Sequence, residues 1–388
     1  MLSAARIQAT IEILDEIIEG DDAAEVVITR WFRSHRFAGS KDRVAVRDHI
    51  YDALRNLRSY AARGGGMWGR AVMIGALLGK DTDLSLVFSG KGYGPSELDT
   101  QEIGPFPEAS IQERFDIPDW LWPIWCTDLA DQAQDIAEKL THRAPVFLRV
   151  NLIKSSVRHV IEILEKDGIK AIAHDTVPTA LLVLENARWI INSNTYLEGL
   201  VELQDASSQM SICNLPIHID GEILDYCAGG GGKSLALAAW LKCKVFAHDT
   251  APLRMKDLPS RAMRAGADVE CISEDELYND SYGLVFCDVP CSGSGAWRRD
   301  PWGKWVLTEE TLVAVIQTQA QILRQAFEYV KPGGLLVYAT CSVLQRENIL
   351  QVDCVTSSHA SLECLESNQI MPSETGDGFF YSYMRKDK

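Results

Sequence analysis

Apolar residues recur at three- and four-residue intervals through the first part of the chain, as in IQATIEILDEII and VRDHIYDALRNLRSYAA, and β-branched runs are few there. That spacing lays one apolar stripe along each helix, so residues 1–140 read as a small helical domain. Gly64-Gly65-Gly66 punctuates it, and Phe88 to Pro107, with four glycines and three prolines, reads as a loop. From Pro145 the period changes. VFLRVNL reads as a strand, SSVRHVIEILEKDG as a helix, and ALLVLE and WIIN as short strands, which predicts a small α+β subdomain over residues 141–198. After Gly199 the apolar runs EILDY, VFAHD, VECIS, YGLVFCD and GLLVYAT alternate with helical segments. Continuously apolar strands separated by helices imply a parallel sheet covered on both faces, so residues 199–388 read as a doubly wound α/β domain.

The chain has 388 residues, 46% of them hydrophobic, which is enough to bury a core in each of these parts. The opening MLSAARIQATIEILDEIIEG carries acidic residues inside its apolar pattern, unlike a secretory signal. No run approaches the ~18 apolar residues of a membrane span. A cytoplasmic protein is expected. Ten cysteines are scattered without a CxxC pair, which argues against a zinc site and a disulfide framework, so no metal is expected. The absence of heptads makes a monomer the default expectation.

A net charge of −16 opposes binding to a polyanion, but the charge is unevenly spread. From Arg30 to Arg70 nine arginines and Lys41 face only Asp42, Asp48 and Asp52, a local balance of +7 that leaves −23 on the remainder. Such a stretch is suited either to tracking a phosphate backbone or to forming a solvated helix face.

Candidate chemistry lies at strand ends in the α/β domain. The first strand runs from Glu222 to Tyr226 into Cys227-Ala228-Gly229-Gly230-Gly231-Gly232-Lys233-Ser234 and then a helix. Glycines there let backbone N–H groups approach a ligand at a helix N-terminus. A P-loop would need Gly at Cys227, so this is a different cofactor turn. Asp249 closes the second strand, where a carboxylate accepts hydrogen bonds from ribose hydroxyls or caps the turn before Ala251-Pro252. The fourth strand delivers Asp288-Val289-Pro290-Cys291-Ser292-Gly293, and the fifth Tyr338-Ala339-Thr340-Cys341-Ser342. One strand-end cysteine is usually a small buried hydrophobe. Two beside a glycine turn and a carboxylate suggest a site.

Taken in order, DYCAGGGGKS, HDT, DVPCSGSG, YATCS and the terminal DGFFYSYMRK resemble the RNA cytosine-C5 methyltransferases of the Nol/Nop/Sun type, including bacterial small-subunit rRNA enzymes. The resemblance extends through LRVNLIKS and LEGLVELQDASSQM, so it covers about 145 to 388. It implies a Rossmann-like S-adenosylmethionine-dependent methyltransferase domain, a ferredoxin- or RRM-like α+β subdomain before it, and a NusB-like RNA-binding domain at the N-terminus. RNA, as rRNA, is the partner it implies. The family's TCS motif holds the nucleophile and its PCSG motif a second cysteine that assists release, which here implies Cys341 and Cys291. The resemblance also implies that Cys227, Ala228, Gly229, Gly230, Gly231, Gly232 and Lys233 surround the cofactor, with Asp249 on its ribose and Asp288 facing cofactor and substrate. Lys233 is an alternative contact to the target base.

A thiolate suits this chemistry because carbon 5 of cytosine is a poor nucleophile until attack on carbon 6 makes the ring enamine-like. A second acid/base group near the first then helps the adduct break down. An acidic residue such as Asp288 can meet charge on the ring edge. Three departures from the family pattern stand out. Gly230 replaces the usual Pro. The third-strand acidic position near the adenine falls at Ser273, followed by Glu274 and Asp275. The usual PDIKW is replaced by Arg298-Arg299-Asp300-Pro301-Trp302-Gly303-Lys304-Trp305, which reads as an RNA-facing loop with Arg298, Arg299 and Lys304 on phosphates and Trp297 or Trp302 on a base. Two other readings compete: a methyltransferase-like RNA-binding or assembly factor without turnover, and a DNA cytosine methyltransferase that attacks with Cys291. A nicotinamide dehydrogenase fits poorly, because GGGG lacks the GxGxxG spacing.

Overall fold

The structure, a computed structural model, describes residues 1–216 and 218–388. The chain forms two compact units. One comprises Met1–Arg143 with Trp297–Leu307, and the other Ala144–Ala296 with Thr308–Lys388.

The first unit is helical, with α1 at Ser3–Glu19, α2 at Ala24–Ser34, α3 at Ser40–Arg55, α4 at Leu57–Gly64 and α5 at Gly69–Leu78. The expected stripe on α1 is the buried face: Ile7, Ile11, Leu14 and Ile17 join Val46, Ile50 and Leu54 of α3 in one core. Helices α4 and α5 meet backbone to backbone. A Cβ on Gly64 would lie 1.8 Å from the Ala71 carbonyl oxygen and one on Gly75 1.9 Å from that of Tyr60, so only glycine permits this approach.

Trp297–Leu307 belongs to this core, which corrects the expectation of an RNA-facing loop. Trp297 is buried and stacks on Trp125 at 5.7 Å. Arg298 and Lys304 are also buried, Trp305 Nε1 donates to the Leu54 carbonyl at 2.7 Å, and Trp302 packs against the same core. Burial pushes the Lys304 ammonium down to about 8. Of the basic side chains read as phosphate contacts, Arg298 and Lys304 are thus buried in this packing, while Arg299 is exposed. The basic stretch is likewise largely spent inside the unit. Arg30, Arg47, Arg58 and Arg70 pair with carboxylates, and Arg43, Arg55 and Arg63 donate to backbone carbonyls. Arg33, Arg36 and Lys41 are exposed.

The second unit holds two sheets. Strands β1 (Val146–Val150), β2 (Lys170–Ala173), β3 (Ala180–Glu185) and β4 (Val201–Leu203) form an antiparallel sheet in the order β2-β3-β1-β4. The helix Val157–Lys166 packs on it through Val160 and Leu164, its N-terminus capped by Ser156, which accepts from His159 N–H. WIIN, read as a strand, lies in a 3-10 helix at Ala187–Asn192, where Trp189 and Ile191 are exposed and Ile190 is buried.

The larger sheet comprises β5 (Glu222–Asp225), β6 (Val245–Ala247), β7 (Val269–Cys271), β8 (Tyr282–Asp288), β9 (Val330–Thr340), β10 (Leu362–Ile370) and β11 (Phe379–Lys386). Its order is β10-β11-β9-β8-β5-β6-β7, parallel from β9 to β7, with β11 antiparallel to both neighbours. The chain winds from β5 outward through β6 and β7, then returns to β8 on the other side of β5. The strand order therefore reverses between β5 and β8, where ligands bind in such sheets. The expected α/β class, doubly wound sheet and preceding helical and α+β parts are all observed. Among the described residues no helix is long and apolar enough to cross a membrane.

Candidate active site

Strand β5 ends at Asp225, and the chain turns through Tyr226–Gly231 into the helix Gly232–Leu241. Gly231 closes the turn with its N–H on the Ala228 carbonyl at 2.8 Å and a φ of 80°. A Cβ there would sit 2.1 Å from Leu258 Cδ1, so the position requires glycine. Gly231 supplies no side-chain cap, so N–H groups of the first helical turn are available to a ligand. Two arginines hold the turn from behind. Buried Arg149 donates to the Gly232 carbonyl at 2.5 Å, and Arg261 donates to that of Gly230. Gly230 is less constrained: a Cβ would meet only Arg261 Nη1, at 3.4 Å, so the departure from Pro leaves the turn intact.

Asp249, beyond β6, is buried and serves as the turn cap that was one of its two expected purposes. Its Oδ1 accepts from Ala251 N–H at 2.9 Å, capping the following turn, while Oδ2 accepts from Gly229 N–H at 2.9 Å and Arg254 at 3.2 Å. It thus ties the second strand end to the glycine turn. Asp249 and Ser273 line one cavity of about 450 Å³ with Thr250, Pro252, Met255 and Ile272. Ser273 caps a short turn, its hydroxyl and N–H both donating to Glu276. The cavity therefore offers an apolar wall and a carboxylate edge, as an adenosine group requires.

Asp288 ends β8 and forms an ion pair with Lys233, whose Nζ lies 2.5 Å from Oδ2. Lys233 is buried, with Nζ 5.2 Å from the centre of the Phe379 ring. Cys227 and Ala228 lie in the same turn, Ala228 donating its N–H to the His248 carbonyl at 2.9 Å. Burial raises the Cys227 thiol above its ordinary range.

The two strand-end cysteines come together. Cys291 Sγ and Cys341 Sγ are 3.3 Å apart as free thiols. Their loops are joined directly: Gly295 N–H donates to the Cys341 carbonyl at 2.9 Å, Val343 N–H donates to Ser294 Oγ at 2.9 Å, and Ser294 and Ser342 hydroxyls meet at 2.8 Å. Its hydrogen bond to the Cys341 sulfur, with burial, holds the Cys291 thiol well above the ordinary range.

Two carboxylates that the motifs did not single out are also buried here, Asp225 and Glu347. Burial pushes Asp225 up to about 7, against the hydrogen bond from Ser234 Oγ at 2.6 Å. Its signal was its place as the first residue of DYCAGGGGKS, directly at the strand end.

Residues 213–385 match the family described as 16S rRNA methyltransferase RsmB/F, and residues 117–189 match its ferredoxin-like domain. Ribosomal RNA small subunit methyltransferase B of Proteus mirabilis is 33% identical over 291 residues, which span 71% of this chain and 69% of that protein. This chain belongs to the RsmB/F methyltransferase family. The protein of the same description from Escherichia coli O6:K15:H31 is 32% identical over 288 residues, covering 70% of this chain and 67% of that one. The crystal structure of PH0851 superposes with a TM-score of 0.78 at 21% identity, over 98% of this chain and 99% of that one. NSun6 from Pyrococcus horikoshii, solved with SFG, gives a TM-score of 0.61 at 17% identity over 70% and 99%. These two share the fold. RsmB/F membership brings S-adenosylmethionine as cofactor. The residues fit it: Asp249 borders a cavity with apolar walls of a size to take an adenosine group, and the carboxylates of Asp249 and Asp288, both close to Cys227, suit a sulfonium cation.

Proposed function

We propose that this chain methylates carbon 5 of a cytosine in small-subunit rRNA through a covalent bond to Cys341. The observation that carries the reading is the pair of free thiols 3.3 Å apart, at the ends of adjacent strands beside the Asp288–Lys233 ion pair. The relatives described as rRNA small subunit methyltransferases support rRNA as the substrate, and with it a cytoplasmic location.

In this reading the target base leaves its stack to enter the site. Cys341, as thiolate, adds to carbon 6, and the ring electrons shift so that carbon 5 becomes nucleophilic. Bound S-adenosylmethionine supplies the methyl group. Asp288, fixed by Lys233, is assigned to the ring edge where charge develops. Release then eliminates Cys341 and the carbon-5 proton. Cys291 gives its thiol proton to the departing Cys341 sulfur and takes up the proton from carbon 5, so the ring double bond re-forms and Cys291 ends as it began. The remaining cofactor assignments are the turn from Cys227 to Lys233, Asp249 on the ribose, and Ser273 beside the adenine.

Incubation with radiolabelled S-adenosylmethionine and unmodified small-subunit rRNA, followed by nucleoside analysis, tests the substrate assignment. Label in 5-methylcytidine is expected. Label in any other nucleoside would overturn it.

A further inference from the structure

Glu347 follows Cys341 by six residues, on a short turn, and its side chain is fully buried. Four donors converge on its carboxylate. Oε1 accepts from Ser292 N–H at 2.7 Å and from Gln319 Nε2 at 3.1 Å, while Oε2 accepts from the hydroxyls of Ser292 and Ser342, each at 2.5 Å. Ser292 is the neighbour of Cys291 and Ser342 the neighbour of Cys341. A single carboxylate therefore grips both cysteine loops immediately beside their thiols.

The surrounding bonds extend the same frame. Gln319 Nε2 also donates to the Pro290 carbonyl at 3.0 Å, so residues on both sides of Cys291 are held. Asn348 does this for the other loop, accepting from Thr340 Oγ1 at 2.6 Å and donating to the Ser342 carbonyl at 2.9 Å. The main-chain carbonyl of Glu347 is itself fixed by the Tyr338 hydroxyl at 2.6 Å. Burying a carboxylate is costly, and an apolar side chain would fill the space without that cost. Charged acceptors, however, make shorter and stronger hydrogen bonds than neutral ones, and only an acceptor of this kind meets four converging donors at once.

We propose that Glu347, assisted by Asn348, is a positioning residue that sets the separation of the two thiols without touching substrate or cofactor. The proposal rests on the division of labour between Cys341 and Cys291 given above. Passing a proton between these sulfurs needs them in contact, and a displacement of ~1 Å costs on the order of 100-fold in rate.

The test compares the full-length wild type with Glu347→Ala and Glu347→Gln. Each is assayed for S-adenosylmethionine affinity, for capture of phenylarsine oxide, and for single-turnover methyl transfer to rRNA. The arsenical reports the thiol pair without RNA: its oxygen leaves as water when both sulfurs bond to one arsenic. Glu347→Ala is expected to keep cofactor affinity yet lose arsenical capture and about 100-fold in methyl transfer. Glu347→Gln should recover most of both, because the two serine hydroxyls can turn to accept from its amide. Should Glu347→Ala not fold, Ser342→Ala removes one donor alone, and a smaller loss in the same direction is expected. Unchanged capture in a folded variant would overturn the proposal, as would a folded wild type that fails to capture the arsenical. If capture responds as stated while the wild type leaves rRNA unlabelled, the positioning role stands and the substrate assignment falls.

Discussion

Gly230 and Gly231 are adjacent in the cofactor turn, yet their backbones make opposite demands. Gly231 has a φ of 80° and no room for a Cβ, so Gly231→Ala should cost about 1–3 kcal/mol of stability and weaken S-adenosylmethionine binding. Gly230 lies outside the left-handed region and has room, so Gly230→Ala should stabilise the protein without cofactor by about 0.4–1 kcal/mol. Thermal melts with and without cofactor distinguish the two. Asp225 makes a pH-dependent prediction. Its carboxyl titrates near 3.8 in ordinary surroundings and at about 7 when folded. Between those values the folded protein holds a proton that the unfolded chain has lost, so stability falls as pH rises from about 4 to about 7 and stays lower above it. Urea melts across that range should show this slope in the wild type and a flatter one in Asp225→Asn. Parallel curves would remove the assignment. At this scale the sequence was most informative about residues lying within ordered motifs, such as Cys291, Cys341 and Asp288. Glu347 was not legible, because its function depends on donors from two loops that only the folded sheet brings together.

Among elements, β6, β8 and β9 were readable because buried parallel strands are largely apolar, and β5 and the edge strand β7 by their place in the alternation with helices. Strand β10, LECLESNQI, was not: it lies at the sheet edge with only Leu362 buried and no apolar alternation, and it is defined by pairing with β11. WIIN shows the converse, an apolar run too short for periodicity to separate a strand from a tight helix. The segment Trp297–Leu307 was misread for a related reason, since Arg, Lys and Trp describe an RNA surface and a buried amphipathic contact equally well. The structure predicts that Trp297→Ala lowers stability by about 3–5 kcal/mol, the cost of emptying a buried aromatic site. Chemical denaturation measures this. An unchanged midpoint with weakened RNA binding would restore the surface reading.

For the whole molecule, the division into units is discontinuous in sequence, which no local pattern announces. Residues 297–307 complete the core of the helical unit, so residues 144–388 produced alone should expose Trp297, Lys304 and Trp305 and aggregate. Replacing 297–307 in that fragment by a short Gly/Ser linker should restore a monodisperse species by light scattering. The charge asymmetry was legible as a sum but not in its use, because most of the arginines from Arg30 to Arg70 are engaged within the unit. What unites the molecule functionally is the claim that Cys341 attacks and Cys291 releases. The most direct measurement incubates wild type, Cys341→Ala and Cys291→Ala with small-subunit rRNA and radiolabelled S-adenosylmethionine and resolves the products on denaturing gels. The account predicts free labelled rRNA from wild type, a denaturant-resistant protein–RNA adduct from Cys291→Ala, and neither from Cys341→Ala. Methylated cytosine from Cys341→Ala, or an adduct that forms on that variant and not on Cys291→Ala, would contradict it.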